Sequence, residues 1–408
     1  MIRKVVPLLV VWLLVSFACF ATKMTCGPDR VFQIDGKKVF PIGFTTPPPP
    51  DGKTPTGKNG IQELAEAGAT FLRTGKGQWN KEEIAYEQKY EDAAARYGMH
   101  CLVYLGDLAS IKPDEKQREA LLRDVVNHFK NHPGFGAWKG VDEPEWGNHP
   151  VAPLMLGREI VRETDPNHPM VLIQAPRGTI ESMRKYNPTA EVVGADIYPI
   201  SVPPGVHSQF KTNTEISMVG DYTHIMDQVG AGKMPVWMVL QIAWSGVTKP
   251  GKKLVFPSFK EERFMTYEAI IDGANALLYF GGNVTQAMNR RDAQLGWNWT
   301  FWNNVLRPVV AQIGDKSPLY PALLVANSTL PIKANVSDIE FCVRQVGNEI
   351  FVLACKRNRG AANVTFSGLP ANIAEGALLY EPGRQVAVKN GTFSDRFSQF
   401  DVHVYRLH

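Results

Sequence analysis

HCLVYLG (residues 100–106) and FGAWKGVD (135–142) are apolar runs without strict alternation, and the segment joining them carries Leu121, Leu122, Val125, Val126 and Phe129 at helical spacing. Two strands buried on both faces and joined by a crossover helix are the repeating unit of a parallel sheet. Runs of the same kind recur on either side: VFPIGF (39–44), ATFLRT (69–74), MVLIQA (170–175), VVGADIY (192–198), VWMVLQI (236–242) and NALLYFG (275–281). Eight strands alternating with helical stretches predict an α/β fold, a (β/α)8 TIM barrel, over residues 27–315. A doubly wound open sheet would require a Gly-rich fingerprint after its first strand, and none is present. Just before the first strand, RVFQIDGKK (30–38) places Asp35-Gly36 at a tight turn and predicts a small hairpin under the barrel.

Beyond Trp302 the pattern changes. A helical stretch, NNVLRPVVAQIG (303–314), ends at Gly314, and short alternating runs such as IEFCVRQV (339–346), EIFVLACKR (349–357) and DVHVYRL (401–407) follow between Gly, Asn and Pro turns. These predict a small antiparallel β-sandwich over 320–408. At the other end, Arg3 and Lys4 precede an apolar run from Val5 to Phe20, with Cys19 and Ala21 as small residues before a cut. Residues 1–21 therefore read as a signal peptide of a secreted or periplasmic protein, with no membrane span after cleavage.

With 408 residues, 44% of them hydrophobic, the chain can bury a large core without staples. A net charge of +4 and the lack of a basic stripe interleaved with aromatics argue against a nucleic-acid partner. Four cysteines follow the signal segment, Cys26, Cys101, Cys342 and Cys355, too scattered for a disulfide framework or a zinc site. Cys342 and Cys355 flank a hairpin and are candidates for a cross-strand disulfide. Neither paired histidines at ligand spacing nor a Gly-x-Ser-x-Gly elbow occurs, so no metal, cofactor or serine triad is expected.

In a (β/α)8 barrel the reactive groups lie at the C-terminal ends of the strands. HPGFGAWKGVDEPEWG (132–147) puts Asp142 and Glu143 at the end of the fourth strand, between Trp138 and Trp146. Partial desolvation there would keep one carboxyl protonated, as a general acid requires. The plainer reading is a solvated turn opening a helix, with Pro144 at its first position. Other strand ends supply Arg73, Asp196, Tyr198 and Gln241, and the loops contribute Trp79, Trp146 and Trp244 as platforms for sugar rings.

The NHPGFGAWKGVDEPEW segment resembles the strand-four region of clan A glycoside hydrolases, in which a Glu before Pro is the acid/base. IDGKKVFPIGF, Arg73, Tyr198 and FKEERFMTYEAIIDGANALLYFGG fall in the order that clan shows. The resemblance spans about residues 31–315 and implies a carbohydrate partner, a barrel and a trailing β-sandwich, with Glu143 as general acid. Two departures stand out. Asp142 replaces the Asn usual before the acid/base, and Gln241 stands where the strand-seven nucleophile, a Glu, is expected. A carboxamide cannot form a glycosyl ester. Three readings remain open: hydrolysis in which Asp196 or Asp142 supplies the second carboxylate, with Asp196 acting through water implying inversion; assistance by a 2-acetamido group of the substrate; or glycan binding without cleavage.

Overall fold

The computed structural model describes residues 22–202, 204–205, 207–209, 213–242, 255–281 and 299–408. The segment 1–21 expected to be a signal peptide and Trp244 lie outside the described residues. Three short antiparallel strands come first: β1 (Met24–Cys26), β2 (Phe32–Ile34) and β3 (Lys37–Val39). Asp35 and Gly36 both have positive φ, 51° and 77°, which is the backbone a two-residue hairpin turn demands.

Eight parallel strands then close into a barrel: β4 (Ile42–Phe44), β5 (Phe71–Thr74), β6 (His100–Tyr104), β7 (Phe135–Lys139), β8 (Met170–Gln174), β9 (Val192–Ile197), β10 (Trp237–Gln241) and β11 (Ala276–Phe280). Each pairs with its sequence neighbour, and β11 pairs with β4 to complete the ring. All eight lie within the runs expected from sequence. Crossover helices are fixed locally by side-chain caps: Asn59 accepts from the amides of Ile61 and Gln62, and Ser258 forms a capping box with Glu261.

The barrel interior is filled by Phe71, Leu102, Ala137, Val171, Trp237 and Leu278, all buried. Phe32 of β2 enters from below and meets the Trp237 ring at 5.8 Å between centroids, while Phe71 meets the same ring edge-on at 5.3 Å. The hairpin thus plugs the lower end with aromatic surface, and Val239 and Leu278, higher in the same apolar cluster, form part of the floor of the cavity above.

Among the described residues the C-terminal region forms a three-stranded and a five-stranded antiparallel sheet between Lys333 and Leu407. Their facing apolar residues, including Val352, Phe366 and Tyr405, make a second core. This sandwich packs on the barrel helix Phe259–Ile271: Arg263 donates to the Val402 carbonyl at 2.6 Å, and Phe264 meets Phe400 at 4.9 Å. Arg357 sits at the junction, paired with Asp221 at 2.6 Å, Glu340 at 2.7 Å and Glu268 at 3.3 Å. Cys342 and Cys355 are both free and buried. Cys342 faces Leu353 and Cys355 faces Glu340 in the hairpin register, so the two thiols are not opposite one another and the disulfide does not form. No helix among the described residues is long and apolar enough to cross a membrane.

Candidate active site

A cavity of about 380 Å³ opens at the C-terminal end of the barrel, lined by residues from the ends of β7, β8 and β9 and by the loops that follow. Asp142, Glu143, Asp196, Arg73, Tyr198 and Trp146, six of the residues singled out from sequence, border it.

The β7 strand ends at Lys139, and the chain then turns sharply. Pro144 is not the start of a helix; the next one begins at Val151, and residues 143–149 form tight turns closed by Gly147 N–H to Glu143 O at 2.9 Å and His149 N–H to Pro144 O at 2.9 Å. Glu143 has φ 44°, an uncommon conformation for a residue with a side chain and more so before proline. Its amide donates to the Ile173 carbonyl of β8 at 3.0 Å, which anchors this conformation to the barrel wall. Holding a residue there costs roughly 1–3 kcal/mol, and the result is a carboxyl aimed into the cavity.

Glu143 faces Asp196 from β9. The two carboxyls and His207 present polar atoms that all lie within 4.8 Å of one another. Burial pushes both carboxyls up; the charge of Glu143 raises Asp196 further, and the charge of Asp142 raises both. Asp196 is the more enclosed and rises well above the carboxylate range. For Glu143 the hydrogen bond to Asp196 and the charges of Lys139 and Arg177 pull the other way without cancelling the rise. The pair therefore shares its last proton and holds it more tightly than a lone carboxyl would, as two like charges at short range must. Such proximity leaves no room between them for the water of an inverting pair, whose carboxyls stand about 6.5–9.5 Å apart, so Asp196 does not occupy the distant position that inversion required.

Asp142 behaves oppositely. Desolvation pushes its carboxyl up, but the Lys139 ammonium at 2.5 Å and the Arg73 guanidinium outweigh that and hold it below the usual range. Lys139 itself is 4% exposed; burial lowers its pKa and the Asp142 charge restores part of the loss. Its ammonium lies 4.7 Å from the Tyr104 ring centroid, and the Arg73 guanidinium lies 4.3 Å from the same centroid. One aromatic ring thus positions both cations that keep Asp142 ionised.

Tyr198 lies between the His207 ring, stacked at 4.4 Å, and Phe280, stacked at 5.1 Å, so its hydroxyl-bearing ring forms one wall. Burial depresses His207 to about 3, and it is neutral. Trp146 is 60% exposed, an indole left open at the rim.

Two residues expected in the site are elsewhere. Gln241 is fully buried, and its amide spans one backbone unit, accepting from the Ile200 N–H at 2.9 Å and donating to the Ile200 carbonyl at 2.6 Å. Both ends of the carboxamide are spent tying the loop after β9 to β10, so it has nothing to offer a sugar. Trp79 is 7% exposed and packs at 6.0 Å from Phe129, its indole N–H donating to the Leu105 carbonyl at 3.2 Å. It is a wall between helices and not a platform. Conversely, sequence reasoning missed Lys139 and His207. A lysine inside the apolar run FGAWKGV was the available signal for the first; no periodicity or motif marks the second.

Three groups of described residues bring metal-ligating atoms together: Glu143, Asp196 and His207 at the cavity; Glu87, Glu91 and Cys101 behind β5 and β6; and Glu268, Glu340 and Cys355 beneath the sandwich. Arg357 already supplies a cation to Glu268 and Glu340, and Arg177 and Lys139 supply positive potential to Glu143.

Comparison with solved structures places this architecture. A protein described as a glycoside hydrolase superposes with a TM-score of 0.62 at 12% identity, over 94% of this chain and 96% of its own. A family 5 glycoside hydrolase from Bacteroides vulgatus gives 0.60 at 12% identity, over 94% and 93%. An α-amylase from Geobacillus thermoleovorans, complexed with acarbose, gives 0.55 at 10% identity, over 90% and 98%. No family model and no curated protein matches the sequence. The chain has the (β/α)8 fold of clan A glycoside hydrolases, followed by antiparallel sheets, as the sequence resemblance implied.

Proposed function

We propose that the protein is an exported glycoside hydrolase in which Glu143 is the general acid. The observation that carries this reading is the opposed titration of three carboxyls around one cavity: Glu143 and Asp196 are raised and share a proton, while Asp142 is held ionised. Groups whose surroundings drive their pKa values apart are the acid and the anion of such chemistry. Glu143 donates its proton to the glycosidic oxygen as the bond from the anomeric carbon breaks; water supplies the hydroxyl that completes hydrolysis. Asp142, ionised beside Lys139, faces the positive charge that develops on the sugar ring. Burial and the charge of Asp142 favour the protonated form of Glu143, and Trp146 offers a face for the apolar side of a pyranose. The glycosidase neighbours support this reading at the level of the fold.

The test is Glu143→Gln, a near-isosteric change that removes the transferable proton. Across a panel of oligo- and polysaccharides, turnover should fall by about 10²–10⁴-fold while glycan binding persists. Binding by the parent protein with no turnover on any glycan would overturn hydrolysis and leave a non-catalytic lectin-like barrel.

A further inference from the structure

Arg177, at the end of β8, borders the cavity and stacks on Trp146, with its guanidinium carbon 5.6 Å from the ring centroid. Unlike every other arginine described above except Arg73, it makes no ion pair or side-chain hydrogen bond among the described residues. A guanidinium carries five donors in a rigid fork matched to carboxylate and sulfate oxygens. Leaving all five without a protein partner at a cavity wall invites an anion.

The backbone around it is fixed. The Arg177 amide donates to the Ala175 carbonyl at 2.7 Å, the Pro176 carbonyl accepts from the Tyr222 hydroxyl at 2.6 Å, and Gln209 donates to the Gly178 carbonyl at 2.6 Å. Gly178 has φ 83°, and a Cβ there would lie 2.6 Å from the Glu145 carboxyl, so the turn that aims Arg177 requires glycine. The Trp146 ring lies against the guanidinium on one side.

The charge balance agrees. Arg73, Lys139 and Arg177 contribute three positive charges to the lining, against Asp142 and one negative charge shared by Glu143 and Asp196. With His207 neutral and one proton held by the Glu143–Asp196 pair, the described part of the lining is net positive by one charge. A cavity built for a neutral sugar alone has no use for that surplus.

We infer that the protein acts on anionic glycans, and that Arg177, held against Trp146, binds an acidic substituent of the sugar, either a uronic-acid carboxylate or a sulfate ester. The inference rests on the glycan reading above and narrows it to a substrate class. Arg177 serves specificity: it selects the charged sugar and neither donates nor accepts the transferred proton, although its charge lowers the pKa of Glu143.

The test measures binding and turnover with three sets of oligosaccharides: uronate oligomers and their methyl esters, sulfated oligomers and their desulfated counterparts, and neutral oligomers. The expected result is that one anionic set binds at least about tenfold tighter than its uncharged match, that the difference shrinks with added salt, and that Arg177→Met abolishes it. Arg177→Lys should recover only part, because an ammonium lacks the fork. Which pair shows the discrimination identifies carboxylate or sulfate. Equal binding of charged and uncharged partners, or discrimination that survives in Arg177→Met, would overturn the inference while leaving glycan hydrolysis intact. No binding to any glycan would instead overturn the proposed function itself. A folded Arg177→Met protein is verified by an unchanged melting temperature.

Discussion

Replacing Asp196 by Asn should move the basic limb of the pH–rate profile to lower pH. In the parent protein the carboxyls of Glu143 and Asp196 lie within 4.8 Å, so the loss of a second proton from the pair sets two like charges side by side. At 4.8 Å and an effective dielectric constant of about 20, that repulsion is about 3.5 kcal/mol, or about 2.5 pH units. Glu143 is partly open to the cavity, so solvent screening reduces the expected shift to about one to two units. The sign follows from the charge removed: with Asp196 neutral and Asp142 the anionic neighbour that remains, the last proton is lost more readily, and the acid form disappears at lower pH. Asn keeps a hydrogen-bond donor toward Glu143, so the geometry is preserved while the charge is not. The assay is kcat/KM against pH on a cleaved glycan, together with ¹³C-carboxyl NMR titration of labelled glutamate, which needs no substrate. If the Glu143 resonance titrates at the same pH in both proteins, the shared proton does not exist and the assignment of Glu143 as a tuned acid fails with it.

Three further outcomes follow from the geometry. Lys139→Met removes the ammonium 2.5 Å from Asp142, so the Asp142 carboxyl should titrate about one unit or more higher and the acid limb of the profile should move up with it; an unchanged acid limb would mean that Asp142 is not the ionised partner. Gln241→Glu, which restores the residue expected of the clan, should not raise activity, because it sets a carboxylate against the Ile200 carbonyl and should cost about 1–3 kcal/mol in urea unfolding; a gain in turnover would refute the structural role of this amide. Glu87 and Asp272 are both pushed up to about 8, by burial first and by neighbouring carboxylates second. Their folded values exceed the unfolded ones, so their contribution is intact below about pH 4 and is lost as pH rises from there through about 8; thermal melts should show stability falling from about pH 5 to about 8 and levelling above, and Glu87→Gln should flatten that slope.

The barrel was legible because strands covered on both faces must be apolar throughout, and runs such as MVLIQA and VWMVLQI have no other economical place in a chain of this length. The place of Glu143 at the cavity was legible for a related reason: once the strands are counted, the end of the fourth is a known place in space. What the sequence did not carry is the rotation of side chains about a strand end. Gln241 and Asp196 both fall near strand ends, yet one turns to the backbone of a neighbouring loop and the other into the cavity. Trp79 follows a strand as Trp146 does, but Gly75 and Gly77, both at positive φ, fold its loop back against the helices. Lys139 points inward from a strand whose alternate residues point outward, a parity that cannot be set until the register of the barrel is known.

The N-terminal hairpin has a mechanical consequence for recognition. Phe32 presses on Trp237, Trp237 on Phe71, and the same continuous packing ends at Val239 and Leu278 at the floor of the cavity. Densely packed interiors transmit displacement instead of absorbing it. Shortening a ring at the base of the molecule would therefore be felt at its mouth as a softened seat, and affinity would become sensitive to residues that no ligand ever touches.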